Sequence, residues 1–330
     1  AVDSVEVGQS PVWLQAYLGR VGIRPINNIV DLSNYYMHLT AQPTHAFDYD
    51  KVKALCGGEV TIFPRMAKKG ETLKLLNGKE IELTEEDIVI ATDTQAIALA
   101  GIMGGSETEV DGTTKRIVIE CATFDMYTIR RSSMRHGLFT DAVTRYTKGQ
   151  SPLQNDKILA KITSDLAGMY NAKPGEVYDS GEPDVYFTNS IVVTAEFINA
   201  RLGTQLSSGD ITKILQNVEL GVEHSLDEIV VTPPFWRTDL EQKEDIVEEV
   251  GRLYGFDRIA LKLPLRSTSP AARNDKLDFK QSLRDVLVSA GANGDLSYSL
   301  RHGVLLRHTG PQEVDKRAIH VRNAVSPALQ

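Results

Sequence analysis

Four stretches in the first half of the chain hold the side chains best suited to chemistry. PTHAFDYD (Pro43 to Asp50) places His45 two residues after a proline, beside apolar Ala46 and Phe47 and near two aspartates. The same region, from Gly22 to Asp50, supplies Asn34. ALAGIMGGSETEV (Ala98 to Val110) is a glycine-rich stretch with Gly101, Gly104 and Gly105, IVIECA sets Glu120 at a strand end, and MRHGLFTDAVTRYTKG brings His136, Thr140, Ala142 and Arg145. No Ser-His-Asp or Cys-His order marks a covalent triad, although chain order alone does not exclude one. Hydrolysis by an oriented water is the other route. A neutral imidazole or amide holds the water, and backbone N–H groups hold the developing oxyanion. Taken singly, each residue also has a plainer role: His45 as a histidine satisfied by a backbone carbonyl beside a turn, Glu120 as an edge carboxylate in solvent. The apolar neighbours of Glu120 favour a carboxylate with a partner. The glycines lack GxGxxG spacing and a P-loop lysine, so they suit close backbone approach to a ligand or a neighbouring strand better than nucleotide binding.

A further constellation is WRTDLEQKEDIVEEVGRLYG. On a helix, Asp245, Glu248 and Glu249 fall on one face, with Asp239 one short loop before it. Like charges so spaced repel by a few tenths of a kcal/mol per pair, so something must compensate them. Two readings stay open: acidic residues favoured by a helix N-terminus with Arg237, Lys243 and Arg252 nearby, or a hard cation such as Mg2+ held by a few carboxylates and waters.

The elements that must position these residues follow from composition and periodicity. At 330 residues the chain exceeds what one hydrophobic core usually serves, so two or three modules are expected. A formal charge of −8 argues against a surface given over entirely to nucleic acid, though not against a local basic patch. The two cysteines, Cys56 and Cys121, have no metal-ligand spacing and suit a reducing compartment. No apolar run of about 18 residues and no signal-peptide pattern is present, so a cytoplasmic protein without a membrane partner is expected. The chain starts at Ala1 without a methionine and stops at Gln330 inside an unfinished pattern, as part of a longer protein would.

SPVWLQAYLGRVG predicts a helix with Ser10 as N-cap and Pro11 at its first position, and IVDLSNYYMHL predicts a second, ended by Pro43. From Val60 to Cys121 short β-rich runs take over, with turn signals at Asn77 to Lys79 and Asp111 to Thr113. Leu153 to Tyr170 is amphipathic. A polar linker with Pro174, Gly175, Gly181 and Pro183 marks a boundary. Beyond it the order reads helix (Thr194 to Leu202), helix (Ser208 to Val218), strand (EIVVTPP) and helix from Lys243 to the C-cap Gly255. That is the size and order of a small winged-helix-like domain. A last helix, Leu277 to Ala290, precedes a tail too short to complete a third core. The fold class expected is α+β.

The stretches GIRPINNIVDLSNYYMHLTAQPTHAFD, GIMGG, ECATFD, RHGLFTDA and PPFWRTDLEQKEDIVEEVGRLYGFDRI together resemble the bacterial-type phenylalanine–tRNA ligase beta chain, over almost the whole sequence and in that family's domain order. The resemblance implies an editing module over 1–183, a small helical module with an acidic metal-site helix over 184–262, and the truncated start of a catalytic-like but inactive class II synthetase domain over 263–330. It implies a heterotetramer of two alpha and two beta chains acting on tRNA(Phe), with the ATP and phenylalanine sites on alpha. By the same resemblance His45 and Asn34 orient the hydrolytic water or substrate of a proofreading site. Glu120 recognises the hydroxyl of a wrongly attached tyrosine, and Thr140, Ala142, Gly104 and Gly105 shape the pocket. Asp239, Asp245, Glu248 and Glu249 match a Mg2+ site shared with alpha. The competing expectation is a non-catalytic scaffold that docks alpha and tRNA. Three departures from the family pattern stand out: Ala41 replaces a glycine, and Thr147 and Ser151 replace acids.

Overall fold

The computed structural model describes residues 1–179, 189–225, 228–296, 298–309, 318–322, 324 and 326. The chain forms two compact units, Ala1–Leu261 and Lys262–Gln330.

The first unit opens with β1 (Val2–Asp3), α1 (Val12–Arg20) and α2 (Asn28–Thr40). Pro11, not Ser10, occupies the N-cap position of α1, because the Ser10 hydroxyl donates to buried Asp31 Oδ2 at 2.6 Å. Asn27 caps α2 through the Ile29 and Val30 N–H groups. The helix ends at Ala41 in the left-handed region, φ 62°, two residues before the expected stop at Pro43. β2 (His45–Asp48) and α3 (Tyr49–Cys56) follow.

The β-rich run then gives β3 (Phe63–Met66), β4 (Thr72–Lys74), β5 (Glu80–Glu82), β6 (Ile88–Ala91), β7 (Ala96–Leu99), β8 (Met103–Gly104) and β9 (Ile117–Glu120). The turn signal at Asn77 to Lys79 joins the β4–β5 hairpin, with Gly78 at φ 81°. Helices α4 (Met126–His136), α5 (Asp141–Tyr146) and α6 (Asn155–Tyr170) lead to β10 (Lys173–Pro174).

Two four-stranded antiparallel sheets organise this region, in the orders β10-β1-β9-β2 and β3-β6-β7-β8. Successive side chains of a strand point to opposite faces. Accordingly Val89 and Ala91 of β6 enter a core with Leu75, Leu99, Ile129 and Tyr146, while Ile90 enters one with Phe47, Val52 and Ile97. The apolar runs of β6 and β7 are therefore covered on both faces. A third core joins β1 and β9 to α2 and α6 through Val2, Leu32, Tyr36, Ile117 and Leu166.

The second module is β11 (Ile191–Thr194), α7 (Ala195–Leu202), α8 (Ser208–Gln216), β12 (Gly221–Ser225), β13 (Glu228–Thr232) and α9 (Lys243–Tyr254). The expected order lacked β11 and β12, which flank β13 in an antiparallel sheet. Both are edge strands of four or five residues, too short for strong alternation, and β12 contains polar Glu223 and His224. Thr194, placed by sequence inside a helix, instead ends β11 and caps α7. A reciprocal Ser207–Asp210 capping box starts α8. Gly181 and Pro183 of the expected linker lie outside the described residues.

In the second unit, Asn274 caps α10 (Asp275–Ser289), and α11 (Gly303–Thr309) follows. Among the described residues no helix is long and apolar enough to cross a membrane.

Candidate functional site

His45 and Glu120 are cross-strand partners, directly opposite each other where the β2–β9 ladder ends. In such a pair the two side chains stand on the same face, about 5 Å apart at Cβ. They face a cavity of about 80 Å3 whose other walls are Pro43, Thr44, the turn from Ala98 to Gly104, Ala142 and Tyr146. A single water needs only about 10–15 Å3.

The glycine turn makes this geometry possible. Gly101 has φ 65°, and a Cβ there would stand 3.0 Å from both Phe124 and Tyr146. A Cβ on Gly104 would be 2.5 Å from His45 Cε1 and Nε2. On Gly105 it would be 2.4 Å from the Ile97 carbonyl, to which Gly105 N–H already donates. Gly105 thus supports the turn from behind and does not line the cavity. The His45 ring is held from its other side by edge contact with buried Phe47, 4.5 Å between centroids.

Burial controls the charge state. Desolvation lowers the His45 pKa to about 4, so the imidazole is neutral at neutral pH. Desolvation also raises Glu120 to about 7. In neither case does a hydrogen bond or charge offset the burial. No side-chain cation lines the cavity, and the Tyr146 and Thr44 hydroxyls are engaged by the Pro43 and Ala122 carbonyls and by Ser33, leaving backbone N–H groups as donors. Cys121, next in sequence, has its thiol pushed up to about 12 by burial, then by Glu120 and Asp156, so it is no thiolate nucleophile. The arrangement suits a neutral ring that orients water and a carboxyl that either donates to or accepts from a hydroxyl.

The remaining expected residues divide. Ala142 lines the cavity. The Thr140 hydroxyl is occupied: it donates to the Ile102 carbonyl at 3.0 Å and accepts from Val143 N–H at 3.2 Å. It therefore caps α5 and ties that helix to the glycine turn, presenting Ala142 from behind the wall. Asn34, half-buried on α2, is not among the lining groups; its neighbour Ser33 reaches the segment instead, donating to the Thr44 carbonyl at 2.7 Å. His136 pairs with buried Asp87 at 2.9 Å, and Arg145 binds Asp141 and His38, so neither lines the cavity.

Within this chain the acidic cluster is engaged by arginines and by a helix cap. Arg237 donates to both oxygens of Asp239, at 2.8 and 2.7 Å, and to both oxygens of Glu249, at 2.9 and 3.1 Å. Arg252 adds a second contact to Glu249, which is 1% exposed. Asp245 accepts from the Glu241 and Gln242 N–H groups at 2.9 Å, capping α9, while Glu248 faces solvent. Guanidinium groups thus supply compensating charge within this chain, whereas the Mg2+ site implied by the resemblance is one shared with an alpha chain. Among the described residues no group of three His, Cys, Asp or Glu side chains is placed to hold a metal ion.

A family model described as the B3/4 domain matches residues 1–169, and one described as the tRNA synthetase B5 domain matches residues 191–256. The phenylalanine–tRNA ligase beta subunit of Lactobacillus johnsonii is 37% identical over 304 residues, 91% of this chain and 37% of that protein. That of Geobacillus kaustophilus is 36% identical over 334 residues, 99% of this chain and 39% of that protein. The chain belongs to the phenylalanine–tRNA ligase beta-subunit family. It spans somewhat more than a third of the length of these beta subunits. A crystal structure of an N-terminal fragment of the phenylalanyl-tRNA synthetase beta-subunit from Pyrococcus horikoshii shares 18% identity at a TM-score of 0.36, covering 69% of this chain and 65% of that one.

The departures from the beta-subunit pattern now have physical content. Ala41 takes the left-handed conformation that a glycine adopts freely. The Thr147 hydroxyl donates to the Val143 carbonyl at 2.8 Å, and the nearby Arg145 pairs with Asp141. Ser151 is buried at the start of the 3-10 turn Pro152–Gln154.

Two polar residues at or behind this beta-subunit cavity were among those not singled out from sequence. Tyr146 lines it, and Gln42 is fully buried just behind it. Tyr146 lies four residues after Ala142, hence on the same helical face, a spacing that could have pointed to it.

Proposed function

We propose that the His45–Glu120 cavity is the proofreading site of a phenylalanine–tRNA ligase, hydrolysing the ester of tRNA(Phe) wrongly charged with tyrosine. The observation that carries this reading is Glu120: a carboxyl raised to about 7 by burial alone, without an opposing partner, across the ladder from a neutral histidine. The Glu120 carboxyl is half-buried at the cavity and can take a hydrogen bond from a substrate hydroxyl that reaches it. A phenylalanine pocket rejects an added hydroxyl poorly, whereas a second pocket that hydrogen-bonds the hydroxyl selects the tyrosyl ester. His45 accepts a hydrogen bond from the attacking water and aims its oxygen at the ester carbon. The water oxygen bonds to the ester carbon and the acyl–oxygen bond breaks; the tRNA 3′ or 2′ oxygen leaves with one proton of the water, the other goes to solvent, and tyrosine is released as its carboxylate. With a pKa near 4, His45 orients the water and is a weak base toward it.

In the assembled enzyme, attachment of phenylalanine with ATP belongs to the alpha chain, in a cytoplasmic tetramer of two alpha and two beta chains that binds tRNA(Phe). The Thr147 and Arg145 contacts count against a decayed scaffold at that position. The test is deacylation of Tyr-tRNA(Phe) by the assembled enzyme carrying His45→Ala or Glu120→Ala. Loss of hydrolysis is expected in both. Undiminished hydrolysis in both sinks the assignment.

A further inference from the structure

We infer that Tyr146 and Gln42 are positioning residues that set the gap between His45 and Glu120 by bridging the two strands beyond their last backbone pair. The inference rests on the hydrolytic reading of the cavity and adds residues that reading does not include.

The β2–β9 register runs from Asp48↔Ile117 to His45↔Glu120 and stops there. Just past this point each strand presents a carbonyl, that of Pro43 on one side and of Ala122 on the other. Two acceptors cannot bond to each other, so the strands would separate unless a donor lies between them. The Gln42 side-chain amide donates to the Pro43 carbonyl at 3.0 Å and to the Ala122 carbonyl at 2.8 Å. The Tyr146 hydroxyl lies 3.2 Å from the first carbonyl and 3.0 Å from the second, sharing its one proton between them. Gln42 Oε1 in turn accepts from Gln154 Nε2 at 2.8 Å, which fixes the amide's orientation. Gln42 is 0%, Tyr146 3% and Gln154 6% exposed, so water does not compete for these bonds.

Tyr146 has a second contact with the site, because its ring is part of the cavity wall. The ring meets Phe124 edge-on at 5.3 Å and packs where a Cβ on Gly101 would stand 3.0 Å away. One side chain therefore closes the cavity and ties together the strand ends that carry its two ionisable groups. The spacing between those groups depends on a hydroxyl and an amide, neither of which touches a reacting atom.

Tyr146→Phe removes the hydroxyl and keeps the ring. In the assembled enzyme, single-turnover hydrolysis of Tyr-tRNA(Phe) at saturating enzyme is expected to slow roughly tenfold, below the ~100-fold cost of a displacement near 1 Å. The enzyme concentration giving half the maximal rate is expected to stay unchanged. Gln42→Met is expected to act alike, and the double variant to be no slower than the slower single, because the two side chains hold one gap. An independent readout is the carboxyl band of Glu120, followed by infrared difference against Glu120→Gln as pH is varied. In Tyr146→Phe its midpoint is expected to fall from about 7 toward the ordinary 4.5, as a looser gap admits water. An unchanged rate with an unchanged midpoint overturns the inference, as does a lowered melting temperature without either shift. If His45→Ala and Glu120→Ala leave hydrolysis intact, the proofreading reading fails, and the Glu120 midpoint still decides whether Tyr146 sets the gap.

Discussion

Gly104 and His45 leave no room between them for a side chain: a Cβ on the glycine would stand 2.5 Å from two atoms of the imidazole ring. Because Phe47 holds the ring from another side, Gly104→Ala must displace it. Hydrolysis of Tyr-tRNA(Phe) by the assembled enzyme is expected to fall by ~100-fold, the cost of a misplacement near 1 Å. Near-ultraviolet circular dichroism of the variant should still report a folded protein.

Glu120 and His45 bias stability in opposite directions. Burial raises Glu120 from 4.5 to about 7, so the folded state binds the proton more tightly. Its contribution is present below pH 4.5 and is lost as pH rises through 7. Burial lowers His45 from 6.5 to about 4, so its contribution is present above pH 6.5 and is lost as pH falls through 4. Melting curves across pH should show Glu120→Gln gaining on the wild type above pH 7 and not below 4.5. They should show His45→Gln gaining below pH 4 and not above 6.5.

Ala41 sits at φ 62°, where an L side chain costs about 1–2 kcal/mol. Ala41→Gly relieves that cost and adds backbone freedom to the unfolded chain, which opposes it by roughly 0.5–1 kcal/mol. A net stabilisation of about 0.5–1 kcal/mol is expected, read from urea unfolding as a higher midpoint at constant slope.

The Arg237–Glu249 pair predicts a large asymmetry within the acidic cluster. Glu249 is 1% exposed, and Arg237→Ala leaves it with Arg252 alone. Because Arg252 still neutralises part of the Glu249 charge, the cost falls below the roughly 3–5 kcal/mol of an uncompensated buried charge, at about 1.5–3 kcal/mol for the lost charged hydrogen bonds. Glu248→Ala, at an exposed position, is expected to change stability by less than about 0.5 kcal/mol. Urea unfolding of the two variants checks the contrast.

The same cluster predicts the response of this chain to metal. With Asp239 and Glu249 held by Arg237, and Asp245 by the helix cap, Mg2+ added to this chain alone is expected to leave its melting temperature unchanged. A concentration-dependent rise would overturn the reading that the arginines hold these carboxylates in the chain by itself.

The elements legible in the sequence are those whose residues interact with near neighbours. The β4–β5 hairpin turn, the Gly255 end of α9 and the α6 stripe follow from turn chemistry and helical spacing, which act over a few residues. The β11 and β12 edge strands were not legible, because a strand of four or five residues is specified by its partner β13 more than by its own pattern.

The site divides in the same way. Sequence by itself marked His45, Glu120 and the glycines as residues that could share a hydrolytic site, since their types limit what they can do. Only the tertiary structure made His45 and Glu120 opposite members of one ladder pair, where desolvation lowers the ring to about 4 and raises the carboxyl to about 7. It also gave the Thr140 hydroxyl to the Ile102 carbonyl, kept Asn34 off the cavity wall, and placed Arg237 between Asp239 and Glu249. Sequence limits which hydrogen bonds and charges a residue can offer. Which partner accepts them is decided by segments far apart in the chain, as Gln42 and Tyr146 are where they meet the Ala122 carbonyl.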